Sequence, residues 1–255
     1  MQLQVKWSDN EFKIIKDNYG KLSYKNIQKL LPNITIYQIR NKANYEKLCS
    51  NNNLRKYSIN KEYFKYINEE NCYWAGFIAA DGNISRDMRK LSIKLSIKDK
   101  ELLENFIKDI EYTNEIKYYG KYVSTTINCM EICEDLSNNF NITPVKSNIL
   151  IPPNLSDVSH IKSYIRGLID GDGSILKQSI ILYGTKNLLE WVKYYFDKWI
   201  PKSNYKLATV RNKNRHLYVY KISGKRAGFI INDFKVVNCY NLKRKWLNYG
   251  KKGLG

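Results

Sequence analysis

Residues 73–84 read YWAGFIAADGNI and residues 164–175 read YIRGLIDGDGSI. An apolar run punctuated by Gly and Ala and closed by Asp-Gly is thus written twice, with 91 positions between Asp81 and Asp172. In the first copy the small residues Ala75, Gly76, Ala79 and Ala80 fall within one helix ending at Gly82; in the second, Gly167 and Gly171 take the places of Gly76 and Ala80. Glycine inside a helix costs about 1 kcal/mol against alanine, a penalty accepted where another backbone must come close. Each copy supplies that backbone for the other. Two helices packed through Gly76, Ala79, Ala80, Gly167 and Gly171 would end side by side and deliver Asp81 and Asp172 to one point. There a carboxylate can face solvent or a metal, which the apolar helix interior would not allow.

The duplication runs beyond these helices. LSIKLSIKDKELLENFI follows the first and SIILYGTKNLLEWVKYYF the second, each alternating apolar and polar residues before turning helical. Aligning ELLENF with NLLEWV gives an offset of 86, five less than 91, which predicts a first hairpin about five residues longer. Paired strands follow, EIKYYGKYVSTTIN and YKLATVRNKNRHLYVYKIS, and then a helix. Each copy therefore reads α-β-β-α-β-β-α, over residues 69–145 and 146–247, with 248–255 as a tail.

Ahead of the repeats, residues 1–48 read as three short helices. Ser8 has Glu11 three places on, a capping-box spacing, with Trp7 and Phe12 placed to staple the first turn. Gly20 stops that helix, Ser23 starts a second, Pro32 ends it and Thr35 starts a third, whose outward face shows Gln38, Arg40, Lys42, Asn44 and Tyr45. Such a face suits phosphates and base edges in a major groove. The pattern Trp-Ser-x-x-Glu, Ile-x-x-Leu-Pro, Thr-x-x-x-Ile-x-x-Lys-Ala resembles a Myb/SANT-like helix-turn-helix, with Arg40, Lys42 and Asn44 as its DNA contacts. Residues 49–68 are polar and basic and read as a linker.

Composition narrows the function. The chain has 255 residues, with 43 Lys and Arg against 24 Asp and Glu, a formal net charge of +19. That excess points to a polyanion, above all nucleic acid. No apolar run approaches the roughly 20 residues of a membrane span, and MQLQVKWSDNEF carries no export leader, so a cytoplasmic or organellar location is expected. Five cysteines without a CxxC pair and only two histidines, His160 and His216, argue against a zinc site and against a Ser-His or Cys-His hydrolase.

The segments WAGFIAADG (74–82) and IRGLIDGDG (165–173) closely resemble the signature of the LAGLIDADG homing endonucleases. The resemblance covers roughly residues 69–247 and implies an α+β fold of tandem, pseudo-two-fold repeats with saddle-shaped antiparallel sheets, in a monomer. It implies a site-specific double-strand DNA endonuclease, cutting across the minor groove to leave short 3′ overhangs. The eighth residue of each motif, Asp81 and Asp172, would bind Mg²⁺, with Ala80 and Gly171 beside them as further ligands. Mn²⁺ would substitute, and Ca²⁺ would bind without cleavage. The sixth residue is Asp170 in one copy but Ala79 in the other; it turns away by about 200° on a helix and is left out of the metal set. Asp99 and Thr185 match the family's water-ordering residues, and Lys225 its basic residue near the last strand-to-helix turn. DNA contacts are expected from outward strand positions, Lys94, Ser96, Lys98, Tyr183 and also Thr185, and from loops carrying Arg86, Arg89, Lys90, Arg211, Lys213 and Arg215.

Three alternatives share parts of this pattern. A non-cleaving DNA-binding regulator would tend to lose the motif acids, yet both Asp-Gly pairs are present. An RNA maturase assisting intron splicing would use the same fold and basic surface, making intron RNA a second candidate partner. An intein is not expected, because the chain starts at Met1 and ends KKGLG, without the splicing nucleophile and His-Asn terminus.

Overall fold

The structure, a computed structural model, describes residues 7–46, 48, 57–146, 149–200, 207–209, 217–235 and 242–247. The chain divides into two compact units, residues 1–58 and 59–255. Among the described residues no helix is long and apolar enough to cross a membrane.

The first unit holds α1 (Asp9–Asn18), α2 (Tyr24–Leu30) and α3 (Ile36–Tyr45). Its boundaries follow from local chemistry. Ser8 Oγ accepts from Glu11 N, and the Glu11 carboxylate accepts from Ser8 N at 2.8 Å. Gly20, at φ 80°, turns the chain after α1, and Ser23 caps α2. Gln38, expected on the outward face of α3, instead closes a second capping box by accepting from Thr35 N at 2.8 Å. Ile15, Ile27, Leu31, Ile34, Ile39 and Ala43 form the core, with Trp7, Tyr19 and Leu48 packed against it.

The second unit repeats one pattern. The first copy runs α4 (Glu69–Asp81), β1 (Gly82–Ile84), β2 (Lys90–Ser96), α5 (Lys100–Asp109), β3 (Lys117–Tyr119), β4 (Tyr122–Asn128) and α6 (Met130–Phe140). The second runs α7 (Val158–Gly171), β5 (Ser174–Leu176), β6 (Ser179–Gly184), α8 (Lys186–Trp199), β7 (Ala208–Thr209), β8 (Tyr218–Ser223) and α9 (Lys225–Lys235), followed by α10 (Lys243–Trp246). The sheets are antiparallel and have matching orders, β1-β2-β4-β3 and β5-β6-β8-β7. This is the α+β architecture that the duplication predicts. Period-2 alternation fixes the faces: on β2, Leu91, Ile93 and Leu95 are buried, while Lys90, Ser92, Lys94 and Ser96 point the other way.

At the centre α4 and α7 pack backbone to backbone. A Cβ built on Gly76 would lie 2.0 Å from Tyr164 O, and one on Gly167 would lie 2.0 Å from Tyr73 O. Both pairs are related by the same 91-residue offset, so the contact is two-fold. One turn on, a Cβ at Gly171 would lie 2.2 Å from Ala80 Cβ, so this level admits one methyl group and not two. Ala79 is also buried.

Two expectations need correcting. The five extra residues of the first copy do not all lie in its hairpin, whose loop has five residues (85–89) against two (177–178) in the second. A 3-10 turn, Ile97–Asp99, supplies further length between β2 and α5; in the second copy Gly184 ends β6 and Thr185 immediately caps α8. The linker is also shorter than 49–68. Phe64 is fully buried, Asn71 Nδ2 donates to Tyr63 O at 2.9 Å, and Asn139 Nδ2 donates to Phe64 O at 2.8 Å. Its second half therefore belongs to the repeat unit, held by one apolar anchor within a polar stretch. Residues 49–56 lie outside the described residues.

Candidate active site

The two packed helices end where their sheets begin. Asp81 is the last residue of α4 and Asp172 caps α7; β1 starts at Gly82 and β5 at Ser174. Because Gly171 sits against Ala80, the residues that follow them leave the interface together. Both aspartates reach the surface, but the packed helix ends strip water from them. Desolvation raises both carboxyl groups above the usual range, Asp81 to about 6; repulsion from Asp172 adds to the rise in Asp81, and Lys245 and Lys146 oppose both shifts.

Those two lysines complete the cluster. Lys146, between α6 and α7, donates from Nζ to Ala80 O at 2.8 Å and to Ala79 O. Lys245, on α10, donates to Ile169 O at 3.1 Å, Gly171 O at 2.7 Å, Gly173 O at 2.8 Å and Asp170 O. Each ammonium thus closes the carbonyl end of one motif helix, where unpaired C=O groups and the helix dipole favour a cation. Desolvation lowers the pKa of both lysines, and the aspartates push it back up. The pair follows the pseudo-symmetry: Lys146 comes after the last helix of the first copy and grips α4, while Lys245 comes after α9 and grips α7.

The basic residue expected from the sequence is Lys225. Lys225 is exposed at the start of α9 and is not among the charges acting on Asp81 or Asp172. No local motif marks Lys146 or Lys245, whose neighbours are Pro-Val and Lys-Arg respectively. Only extending the repeat alignment past the last helix of each copy would have paired them.

Asp99 and Thr185 occupy matching places, the N-caps of α5 and α8. Asp99 is 7% exposed and is clamped bidentately by Arg244, Nε to Oδ1 and Nη2 to Oδ2, each at 2.6 Å. Its charge also raises the Asp81 pKa. Thr185 is different. Its hydroxyl donates to Leu150 O and accepts from Leu188 N, and the residue is buried. It is neither an outward strand position nor directed to order water, because capping α8 and tying down the 149–157 connection use its hydroxyl. Asp170 does turn away from the carboxylate pair, into a buried pocket against Tyr73 and α10.

The outer faces of the sheets carry basic and aromatic groups. Lys94 Nζ sits 4.3 Å from the centroid of the Tyr122 ring, and Tyr118, Tyr119 and Tyr183 are exposed. In the first hairpin Ser85 Oγ accepts from Lys90 N at 3.0 Å and Met88 takes φ 56°, an ordered turn that leaves Arg86, Arg89 and Lys90 exposed. Ser96 is half-buried and caps the 3-10 turn. Lys98 lies in that turn and not on β2, because the strand ends at Ser96. Arg211, Lys213 and Arg215 lie outside the described residues. On α3, Arg40 and Asn44 are exposed, Arg40 lying 5.2 Å from the Tyr24 ring centroid. Lys42 is bound to Glu46 at 2.6 Å.

No group of three or more His, Cys, Asp or Glu side chains gathers as a metal site among the described residues. What the helix ends offer is two carboxylates with main-chain carbonyls beside them. The carbonyls of Ala80 and Gly171 already accept lysine N–H groups, and a carbonyl retains a second lone pair. This hard-oxygen set fits a Mg²⁺-type ion that completes its shell with phosphate and water.

No protein-family model matches the sequence, and no curated protein does. The chain is similar in fold to solved LAGLIDADG enzymes. These include the LAGLIDADG meganuclease I-AabMI bound to uncleaved DNA, at 16% identity over 70% of this chain and 87% of that one, TM-score 0.46. Meganuclease I-SmaMI bound to uncleaveable DNA has 12% identity over 69% and 88%, TM-score 0.48. Full-length DUF199/WhiA from Thermatoga maritima is also similar, at 16% identity over 70% of this chain and 60% of that chain, TM-score 0.45.

Proposed function

We propose that this protein is a metal-dependent, site-specific endonuclease of double-stranded DNA, acting as a monomer of homing type. The observation that carries the proposal is the convergence of Asp81 and Asp172 at the paired ends of α4 and α7, each flanked by a partly desolvated lysine. Asp81 and Asp172 would hold Mg²⁺, with Ala80 O and Gly171 O nearest to them. When bound there, such an ion would supply a water of lowered pKa and charge stabilisation at the leaving oxygen. This chain's own groups do the rest. Both carboxylates must be ionised to serve, which the opposing lysine charges favour. Lys146 Nζ and Lys245 Nζ place positive charge beside the pair, where a phosphate would gather negative charge during hydrolysis. Asp99, fixed by Arg244, adds negative charge to the field at Asp81. Lys90, Lys94, Arg86 and Arg89 bind the DNA backbone, while Ser92, Tyr118, Tyr122 and Tyr183 meet base edges and sugars. The helix-turn-helix unit adds contacts through Arg40 and Asn44.

The test is to incubate the purified protein with linear DNA from its genomic neighbourhood, with Mg²⁺ and with EDTA, and to sequence the ends produced. Cutting of both strands at one site, in Mg²⁺ only, supports the reading. Tight DNA binding without cutting would overturn it in favour of a DNA-binding regulator. Stimulation of intron splicing alone would point to a maturase.

A further inference from the structure

Lys245 reaches the site on α10, a helix of four residues. So short a helix has no stability of its own, and its place is imposed by what it touches. Two of those bonds converge on one buried side chain, which a third donor from α4 also reaches. Asp170 Oδ2 accepts from Leu242 N at 3.0 Å and from the Tyr73 hydroxyl at 2.8 Å, and Oδ1 accepts from Trp246 Nε1 at 2.7 Å. Leu242 and Trp246 bracket Lys245, and Tyr73 lies on α4, so one carboxylate ties both motif helices to α10. On its other side α10 is held to the first repeat by Arg244 on Asp99 and by Lys243 on Glu101 at 3.1 Å. The matching place in the first copy is Ala79. Lys146 lies in the chain between α6 and α7.

We propose that Asp170 is a positioning residue, a latch that seats α10 so that Lys245 stays on the carbonyls ending α7, beside Asp81 and Asp172. The role in cleavage rests on the nuclease reading above. The carboxylate is specifically required. Leu242 N and Trp246 Nε1 are donors only, and they land on different oxygens; in Asp170→Asn one of them must face an NH₂ group. Trp246→Phe removes the donor to Oδ1 and gives that NH₂ an apolar ring to face, so the two substitutions together should cost less than the sum of each alone.

Two measurements test the latch. The first is hydrogen exchange over residues 242–247 in the full chain without DNA, for wild type, Asp170→Asn, Trp246→Phe and the double variant. The second is single-turnover cleavage and DNA affinity for Asp170→Asn, Lys245→Met and both together. Asp170→Asn should speed exchange at 242–247 and slow cleavage about tenfold or more, leave DNA affinity unchanged, and add nothing to the loss from Lys245→Met. Unchanged exchange at 242–247, or an equal slowing of wild type and of Lys245→Met, would overturn the proposal. Trp246→Phe removes a donor without adding one and carries the same test if Asp170→Asn does not fold. If wild type cuts no DNA, the nuclease reading and the positioning role fall together, while the exchange data still decide whether the latch exists.

Discussion

Replacing Gly76 with alanine sets two effects of opposite sign against each other. Helix propensity favours the change by about 1 kcal/mol. Packing opposes it. The new Cβ would lie 2.0 Å from Tyr164 O, where ordinary contact begins at 3.4 Å, so α4 and α7 must part by roughly 1.4 Å. The obstacle is main chain, which no rotamer can relieve. Overpacking of this kind costs typically 1–3 kcal/mol and sometimes more, and a gap of even 0.5–1 Å forfeits about a quarter to a half of each dispersion contact along the interface. With that cost at the upper end of its range, the net expectation is a destabilisation of about 2 kcal/mol, with a Tm lower by roughly 4–8 °C for a chain of this size. Gly167→Ala, related by the pseudo-two-fold, should match it. Gly184→Ala is the control, since its Cβ would meet only leucine side-chain carbons, the nearest at 3.4 Å, and should stay within about 1 kcal/mol of wild type. Urea unfolding of the three variants, with cleavage assays alongside, decides the matter. A Gly76→Ala protein as stable as wild type, or more so, would refute the close packing from which the carboxylate geometry is derived.

Asp81→Asn should stabilise the metal-free protein at neutral pH. The Asp81 carboxyl titrates at about 6 in the folded chain, against an ordinary 3.8, so its charge opposes folding above about 6 and contributes nothing below about 4. Thermal melts in EDTA should show the variant ahead at pH 7.5, by about 1 kcal/mol or less given its exposure, and level with wild type at pH 3.5. The Lys61–Glu131 pair, at 2.8 Å, has the opposite sign. The Lys61 hydrogen bond lowers the Glu131 pKa from 4.5 to about 2, so its support is present above about pH 4.5 and is lost as pH falls toward 2. Lys61→Met should therefore lower stability at pH 7, by under about 1 kcal/mol, and by only a small part of that at pH 2. Lys94→Ala should weaken DNA binding to all sequences alike and reduce the slope of log affinity against log salt by about 1.

Much of this was legible because it is periodic or punctuated. The 91-residue recurrence of Gly-rich runs required a close helix pair, and Gly76 and Gly167 form it on each other's backbones. Ser8, Ser23 and Thr35 mark helix starts through local bonds that any reader of caps can find. What escaped depends on distant contacts. Lys245 is one basic residue among several in NLKRKWLNYG, and only the fold turns it toward α7. Asp170 reads as a spare acid until Trp246 and Leu242 arrive from more than 70 residues away. Thr185 reads as a strand position because β6 alternates up to Gly184, but its cap bond and Leu150 draw it inside. Phe64 is one apolar residue in a basic stretch, and its burial takes that half of the linker into the repeat unit.

The central claim is that Asp81 and Asp172 form one cleavage site, and it is tested most directly by separating binding from cutting. DNA affinity in EDTA and Mg²⁺-dependent cleavage should be measured for wild type, Asp81→Asn and Asp172→Asn on a DNA that wild type cuts. The account requires both variants to bind that DNA at least as tightly as wild type and to cut neither strand. Full cleavage of both strands by either variant would contradict it.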